Sequence, residues 1–116
     1  MFAAINAARE LHGSPALAWD PAAAGVARNH SVVMAHTDTT QFHNPVAGPQ
    51  LASAQPAART WGENVGLSAD RHLLWHAFWD SAGHRANLLS PTFTAGGVGC
   101  VQDEDGKSWV THLFWS

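Results

Sequence analysis

An α+β domain, with helices packed on a small antiparallel sheet, is what this sequence predicts, and three observations carry the prediction. Near the N-terminus, Phe2, Ile5, Ala8 and Leu11 recur at close to helical spacing and lay one apolar face along residues 2 to 12. At the other end, Ser108 to Trp115 alternates, with Trp109, Thr111, Leu113 and Trp115 on one face and Val110, His112 and Phe114 on the other. Just before it, Asp103-Glu104-Asp105-Gly106 is a hairpin signal that returns the chain from a preceding strand.

Bulk composition narrows the classes. With 116 residues, 46% of them hydrophobic and 13% charged, the chain fits one domain spanning residues 1–116. A chain of this size buries roughly two thirds of its unfolded surface. Apolar runs extend only a few residues, far short of the roughly 20 that a membrane-spanning helix needs. A formal net charge of -3 supplies no basic field for nucleic acid. Lys107 is the only lysine, and the charged fraction is well below the usual quarter or so. The single Cys100 cannot form an intrachain disulfide. It is expected as a buried strand residue, the alternative being an exposed thiol able to dimerise the chain; a monomer is the expectation. Met1 is followed almost at once by Ile5, Arg9 and Glu10 with no apolar signal region, so export would rest on a signal outside this stretch.

Taken in order, the first helix stops at Gly13, a C-cap candidate. Ser14 to Trp19 reads as an extended connector whose Leu17 and Trp19 share a side. Asp20-Pro21 pairs an N-cap residue with proline at the first helical position, opening a helix from Pro21 to about Ala35. Ala24, Ala27 or Arg28, Ser31 and Met34 line its packing side. From His36 to Arg59 periodicity fails around Thr37-Asp38-Thr39-Thr40, Asn44-Pro45, Gly48-Pro49 and Pro56, which predicts loop with one short helix near Gln50 to Ala54. Thr60 to Leu67 reads as a strand, and Ser68 to Asp70 caps a helix from Arg71 to Trp79. There Leu74 and Phe78 share one face and Trp75 and Trp79 an adjoining one. Gly83-His84-Arg85-Ala86-Asn87 reads as a turn, and so does Ser90-Pro91. In the strand from Phe93 to Gln102, the cluster Gly96, Gly97 and Gly99 points to a bulge or to the close approach of another backbone. The six tryptophans and five phenylalanines are expected mostly as core.

The eight histidines divide by context. His12, His30, His36, His72 and His76 fall on predicted helices or their ends, where partly solvated side chains are expected. His72 and His76, four apart, face the same way but have no third metal ligand close in sequence. His112 is expected to be packed or hydrogen-bonded. His43, Glu63 and His84 sit instead in punctuated segments that can hold a polar group at a cleft. Two histidines and one glutamate make a partial coordination shell for Zn²⁺. On spacing alone the opposite reading stands beside it, with Glu63 anchoring a turn through backbone N–H groups, Asn64 capping a neighbouring loop, and His84 and Arg85 pinning the segment before Pro91.

Gly62-Glu63-Asn64-Val65, followed by Ser81-Ala82-Gly83-His84-Arg85-Ala86-Asn87-Leu88-Leu89 and then by Phe93 and Gly97-Val98-Gly99, closely resembles the bacterial, SCP-like branch of the CAP superfamily. That superfamily groups cysteine-rich secretory proteins, antigen 5 and pathogenesis-related 1 proteins. Asn6-x-x-Arg9 with Leu17-x-Trp19-Asp20 resembles its opening helix and connector, and Ala27-x-x-His30-Ser31-x-x-Met34 its second helix, so the likeness covers nearly the whole chain. It implies a three-layer α-β-α sandwich with a small central antiparallel sheet, an extracellular or cell-envelope location, and a cleft lined by two histidines and two acidic residues. On this sequence those positions fall on His43 and His84, the family's usual divalent-ion ligands, on Glu63, and on Ser81 in place of the second acidic residue. The resemblance therefore implies a binding or interaction module for a small molecule, lipid or cell-wall component, with a divalent ion, zinc foremost. The alternative is a metal-dependent peptidase or esterase with Glu63 as general base, and a purely structural, vestigial cleft is a third. With Ser81 in the acidic position, a paired-carboxylate mechanism drops out. Serine-protease chemistry lacks an oriented Asp and a nucleophile elbow.

Overall fold

The computed structural model describes residues 1–37 and 41–116; the expected loop residues Asp38, Thr39 and Thr40 lie outside that description. Among the described residues the chain forms α1 (Phe2–Leu11), β1 (Ala18–Trp19), α2 (Pro21–Thr37), α3 (Ala47–Ala54), β2 (Trp61–Ser68), α4 (Arg71–Asp80), α5 (Ala82–Leu89), β3 (Ala95–Gln102) and β4 (Ser108–Trp115). The strands make one sheet in the order β1-β3-β4-β2. β4 pairs antiparallel with β2 on one side and β3 on the other. The expected antiparallel sheet is corrected in one respect. The extended connector adds a two-residue parallel strand beside β3, through Ala18 N–H to Thr94 O and Asp20 N–H to Gly96 O, so the sheet is mixed. A pairing this short leaves no periodic trace in sequence.

Both faces of the sheet are covered, which makes three layers. On one face Ala23 and Ala27 of α2 and Leu51 of α3 pack on Leu113, while Met34 packs with Val65 and Trp109. On the other, Ile5, Leu74, Phe78 and Leu88 from α1, α4 and α5 pack on Val110 and Phe114. The alternation read in β4 thus separates its two layers, and the strand is buried up to Trp115. Gly97 and Gly99 explain how α2 comes so close: a Cβ on either would collide with α2 backbone, at Ala24 and at Ala27–Arg28 respectively. Of the two explanations for the glycine cluster, close approach of a backbone is the one realised.

Polar residues lock the layers. Arg9 is fully buried and donates to Pro15 O, Leu88 O, Ser90 O and Phe93 O at 2.8–3.0 Å. Asn6 exchanges two hydrogen bonds with the Leu17 backbone. Asp20 caps α2 through Ala22 N–H and also accepts from Trp115 Nε1–H at 2.7 Å.

Other expectations need revision. The Gly83–Asn87 segment is helix α5, not a turn. Glycine costs a helix interior about 1 kcal/mol, but burial of Leu88 and the Arg9 guanidinium on the Leu88 and Ser90 carbonyls outweigh it. Helix α3 begins earlier than expected, at Ala47, because Pro49 lies in its first turn, where no intrahelical N–H is needed. His30 is buried rather than solvated, and Cys100 is exposed rather than buried. Cys100 lies near the end of β3, past the stretch that β1 flanks, where the strand becomes more exposed. Among the tryptophans only Trp109 is fully buried; Trp19 and Trp61 are about half exposed, and Trp75 and Trp79 stack on each other at the surface of the core.

Candidate functional site

Because β2 is an edge strand, structure from both layers can wrap around it, and there His43 meets Glu63. Glu63, on β2, is almost wholly buried, with a side-chain exposure of 3%. Its Oε1 accepts from the His43 ring at Nδ1 and from the Asn44 backbone N–H, both at 2.9 Å. A carboxylate only accepts, so Nδ1 carries a proton, which leaves Nε2 as the nitrogen that can offer a lone pair. The His43 side chain is 67% exposed. It is held by its tether and not by packing.

The loop that presents His43 is fixed at several points. His30, reaching across from α2, donates Nε2–H to Phe42 O at 2.6 Å and meets the Phe42 ring edge-on. Asn44 accepts from Val46 N–H and donates to Gln50 of α3 at 2.7 Å. Neither His30 nor Asn44 was singled out in sequence as supporting the site. Asn44-Pro45 read only as punctuation, and no local pattern reveals that a helical histidine twelve residues back holds the carbonyl before His43.

His84 approaches from the other layer on α5. The Gly-Glu-Asn and Gly-His-Arg-x-Asn segments interlock, which explains why they occur together. Asn64 donates to His84 O at 3.1 Å, and Asn87 donates to Asn64 Oδ1 at 2.9 Å and to Glu63 O at 3.2 Å. Asn64 therefore holds a helix and not a loop. Gly62 has to be bare, because a Cβ would stand 2.8 Å from the Phe93 ring and 3.1 Å from Asn87 Oδ1. The His84 ring packs edge-on against Phe78, and its Nδ1 is buried with no hydrogen-bond partner among the described residues. Burial pushes its pKa below the usual histidine range, and the nearby His43 charge pushes it the same way. Among the described residues Arg85 reaches only Trp79 O, at 3.4 Å, so it does little to pin the segment.

Ser81 is the joint between α4 and α5, extended at φ -86 and ψ 119, and its side chain makes no capping bond. Among the described residues no hydrogen bond ties it to Glu63 or His43. Asp80 is exposed at the end of α4. Among the described residues no group of three or more His, Cys, Asp or Glu side chains converges on one point. The two imidazoles, of His43 and His84, are near enough for the charge of one to lower the pKa of the other.

The sequence pattern described as the cysteine-rich secretory protein family, CAP, matches residues 2–115. The chain belongs to the cysteine-rich secretory protein family. This CAP domain is also similar to solved structures. An extracellular protein containing a SCP domain from Bacillus anthracis str. Ames is 31% identical with a TM-score of 0.82, over 98% of this chain and 38% of that one. A cysteine-rich secretory protein from Staphylococcus aureus subsp. aureus Mu50 is 24% identical with a TM-score of 0.80, over 98% of this chain and 36% of that one. An outer surface protein from Borrelia burgdorferi is 16% identical with a TM-score of 0.85, over 99% and 88%. The last two likenesses show the shared fold alone, and the CAP domain spans little more than a third of the Bacillus and Staphylococcus proteins. Among curated proteins no sequence matches. No helix among the described residues is long and apolar enough to cross a membrane.

Proposed function

We propose that this CAP domain works outside the cell or at the cell envelope as a ligand-binding or interaction module, holding a divalent metal ion, zinc foremost, between His43 and His84. The double hydrogen bond at Glu63 Oε1 carries the reading. A carboxylate on the far nitrogen of a ligating histidine fixes its tautomer and raises the basicity of the nitrogen that faces the metal. The buried, unpartnered Nδ1 of His84 supports the same assignment, since an orphaned polar atom in a native fold calls for a partner. When bound, the ion supplies a Lewis-acidic centre whose remaining positions are open to an oxygen or nitrogen of the ligand. Residues of the chain do the rest: Glu63 aims His43, His30 and Asn44 hold its loop, and the Asn64–Asn87 interlock sets His84. Half-exposed Trp61 on β2 and Val46 beside the loop add apolar surface for a small molecule, lipid or cell-wall component. The descriptions of two of the similar proteins as extracellular and outer surface support the location.

A hydrolase would ask Glu63 to act as a free general base. Its Oε1 already serves as the anchor of the His43 loop, and Ser81 supplies no second carboxylate. Thermal unfolding with and without Zn²⁺, run beside hydrolysis assays on peptides and esters, tests the proposal. Zinc is expected to raise the unfolding temperature of the wild type and of Ser81→Ala. Glu63→Gln should need roughly 10–100-fold more zinc for the same rise, and no variant should turn over substrate. Zinc-dependent turnover that Glu63→Gln abolishes without unfolding the chain would overturn it.

A further inference from the structure

Helix α4 carries two histidines that the β2-edge site does not use. His72 and His76 are both exposed, and both line one surface cavity of about 290 Å³ whose other walls are Met1, Ala4, Arg71 and Trp75. Residues four apart on a helix stand with their Cβ atoms about 5–6 Å apart on the same face, a separation that two imidazoles can bridge to one ion. The face cannot rotate away. Leu74 and Phe78, on the opposite side of α4, are buried in the core, and Asp70 caps the helix at His72 N–H at 2.7 Å. Stacking on Trp79 fixes Trp75 at the cavity wall.

We propose that His72 and His76 chelate a divalent first-row transition ion at a second, surface site, with Cu²⁺ bound most tightly and the free coordination positions opening into the cavity beside Trp75. Imidazole nitrogen suits Cu²⁺, Ni²⁺ and Zn²⁺, whose affinities peak at Cu²⁺. The cavity offers no carboxylate, so the oxygen-seeking Ca²⁺ and Mg²⁺ have no donors there. The Met1 thioether is not a third ligand, because its Sδ lies 2.8 Å from His112 Nε2. Arg71 leans towards β4, its Nε 3.4 Å from Ser108 Oγ, and at the cavity wall it is placed to pair with an anionic co-ligand on the ion. This site shares no residue with the one at β2.

Calorimetric titration of Cu²⁺ and of Mg²⁺ into the His43→Ala protein tests it, because that change takes the β2 site out of competition while Glu63 keeps the Asn44 N–H. Cu²⁺ is expected to bind with a paramagnetic-resonance pattern showing nitrogen donors, and Mg²⁺ not to bind. Adding His72→Gln or His76→Gln, both at exposed positions, should each weaken Cu²⁺ binding by about tenfold or more, since either change turns a chelate into a single contact. Cu²⁺ affinity within a factor of about two of the parent after either substitution would overturn the proposal, and so would no Cu²⁺ binding at all.

Discussion

One carboxylate oxygen of Glu63 orients the His43 ring and closes the Asn44 backbone, so a single side chain sets both the ring and the loop that carries it. His112 shows the same economy with the opposite charge logic. It is fully buried on β4 beside Phe78, and burial, with a smaller push from His84, brings its pKa down to about 3. In the unfolded chain the imidazole takes up its proton near about pH 6.5. Stability from neutral His112 is therefore complete above that value and is lost as the pH falls towards 3, at up to about 1.4 kcal/mol per unit. Urea unfolding of the wild type and of His112→Gln between pH 7.5 and pH 4 should show the wild type losing its advantage as the solution becomes acidic. Parallel pH profiles would contradict this assignment. At this scale the sequence was legible where chemistry and punctuation coincide, as at Glu63, read as a residue that anchors a loop through backbone N–H. It was opaque at His30 and Asn44, whose roles depend on contacts between separate elements.

Elements follow from the same contest between local preference and packing. The helical period of α1, the Asp20-Pro21 start of α2 and the two faces of β4 were all readable, because each repeats over several residues. Helix α5 was not, since Gly83 reads locally as a break and only Leu88 and Arg9, a contact spanning 79 residues, make the helix worth forming. Glycines give the sharpest test. Gly99→Ala drives a Cβ into the α2 backbone and is expected to cost about 1–3 kcal/mol or more by overpacking. Gly25, exposed on α2 with nothing within 4 Å of its would-be Cβ, behaves oppositely. Gly25→Ala should stabilise the chain by about 0.4–1 kcal/mol. Denaturant midpoints of the two variants check both signs, and a neutral Gly99→Ala would mean that α2 does not lie against β3 as described.

For the whole molecule, the sandwich is drawn together around Arg9, whose guanidinium joins α1 to the end of α5 and the approach to β3 through four carbonyls. A lysine offers a single point of charge in place of that planar fork. Arg9→Lys is expected to cost about 2–4 kcal/mol, read from urea unfolding; a loss under about 1 kcal/mol would show that the carbonyls find other partners. The layered fold was legible because the motifs of this CAP domain run in order along nearly all of it. The parallel pairing of β1 was not, because two residues carry no period. That same frame places His43 and His84 on opposite layers at the free edge of β2, and their partnership as ligands is the central claim. The most direct measurement is a calorimetric zinc titration of the His72→Gln, His76→Gln protein, in which α4 no longer competes. The account predicts that one zinc ion binds per chain and that adding His43→Ala abolishes the binding; zinc affinity that survives the loss of His43 would contradict it.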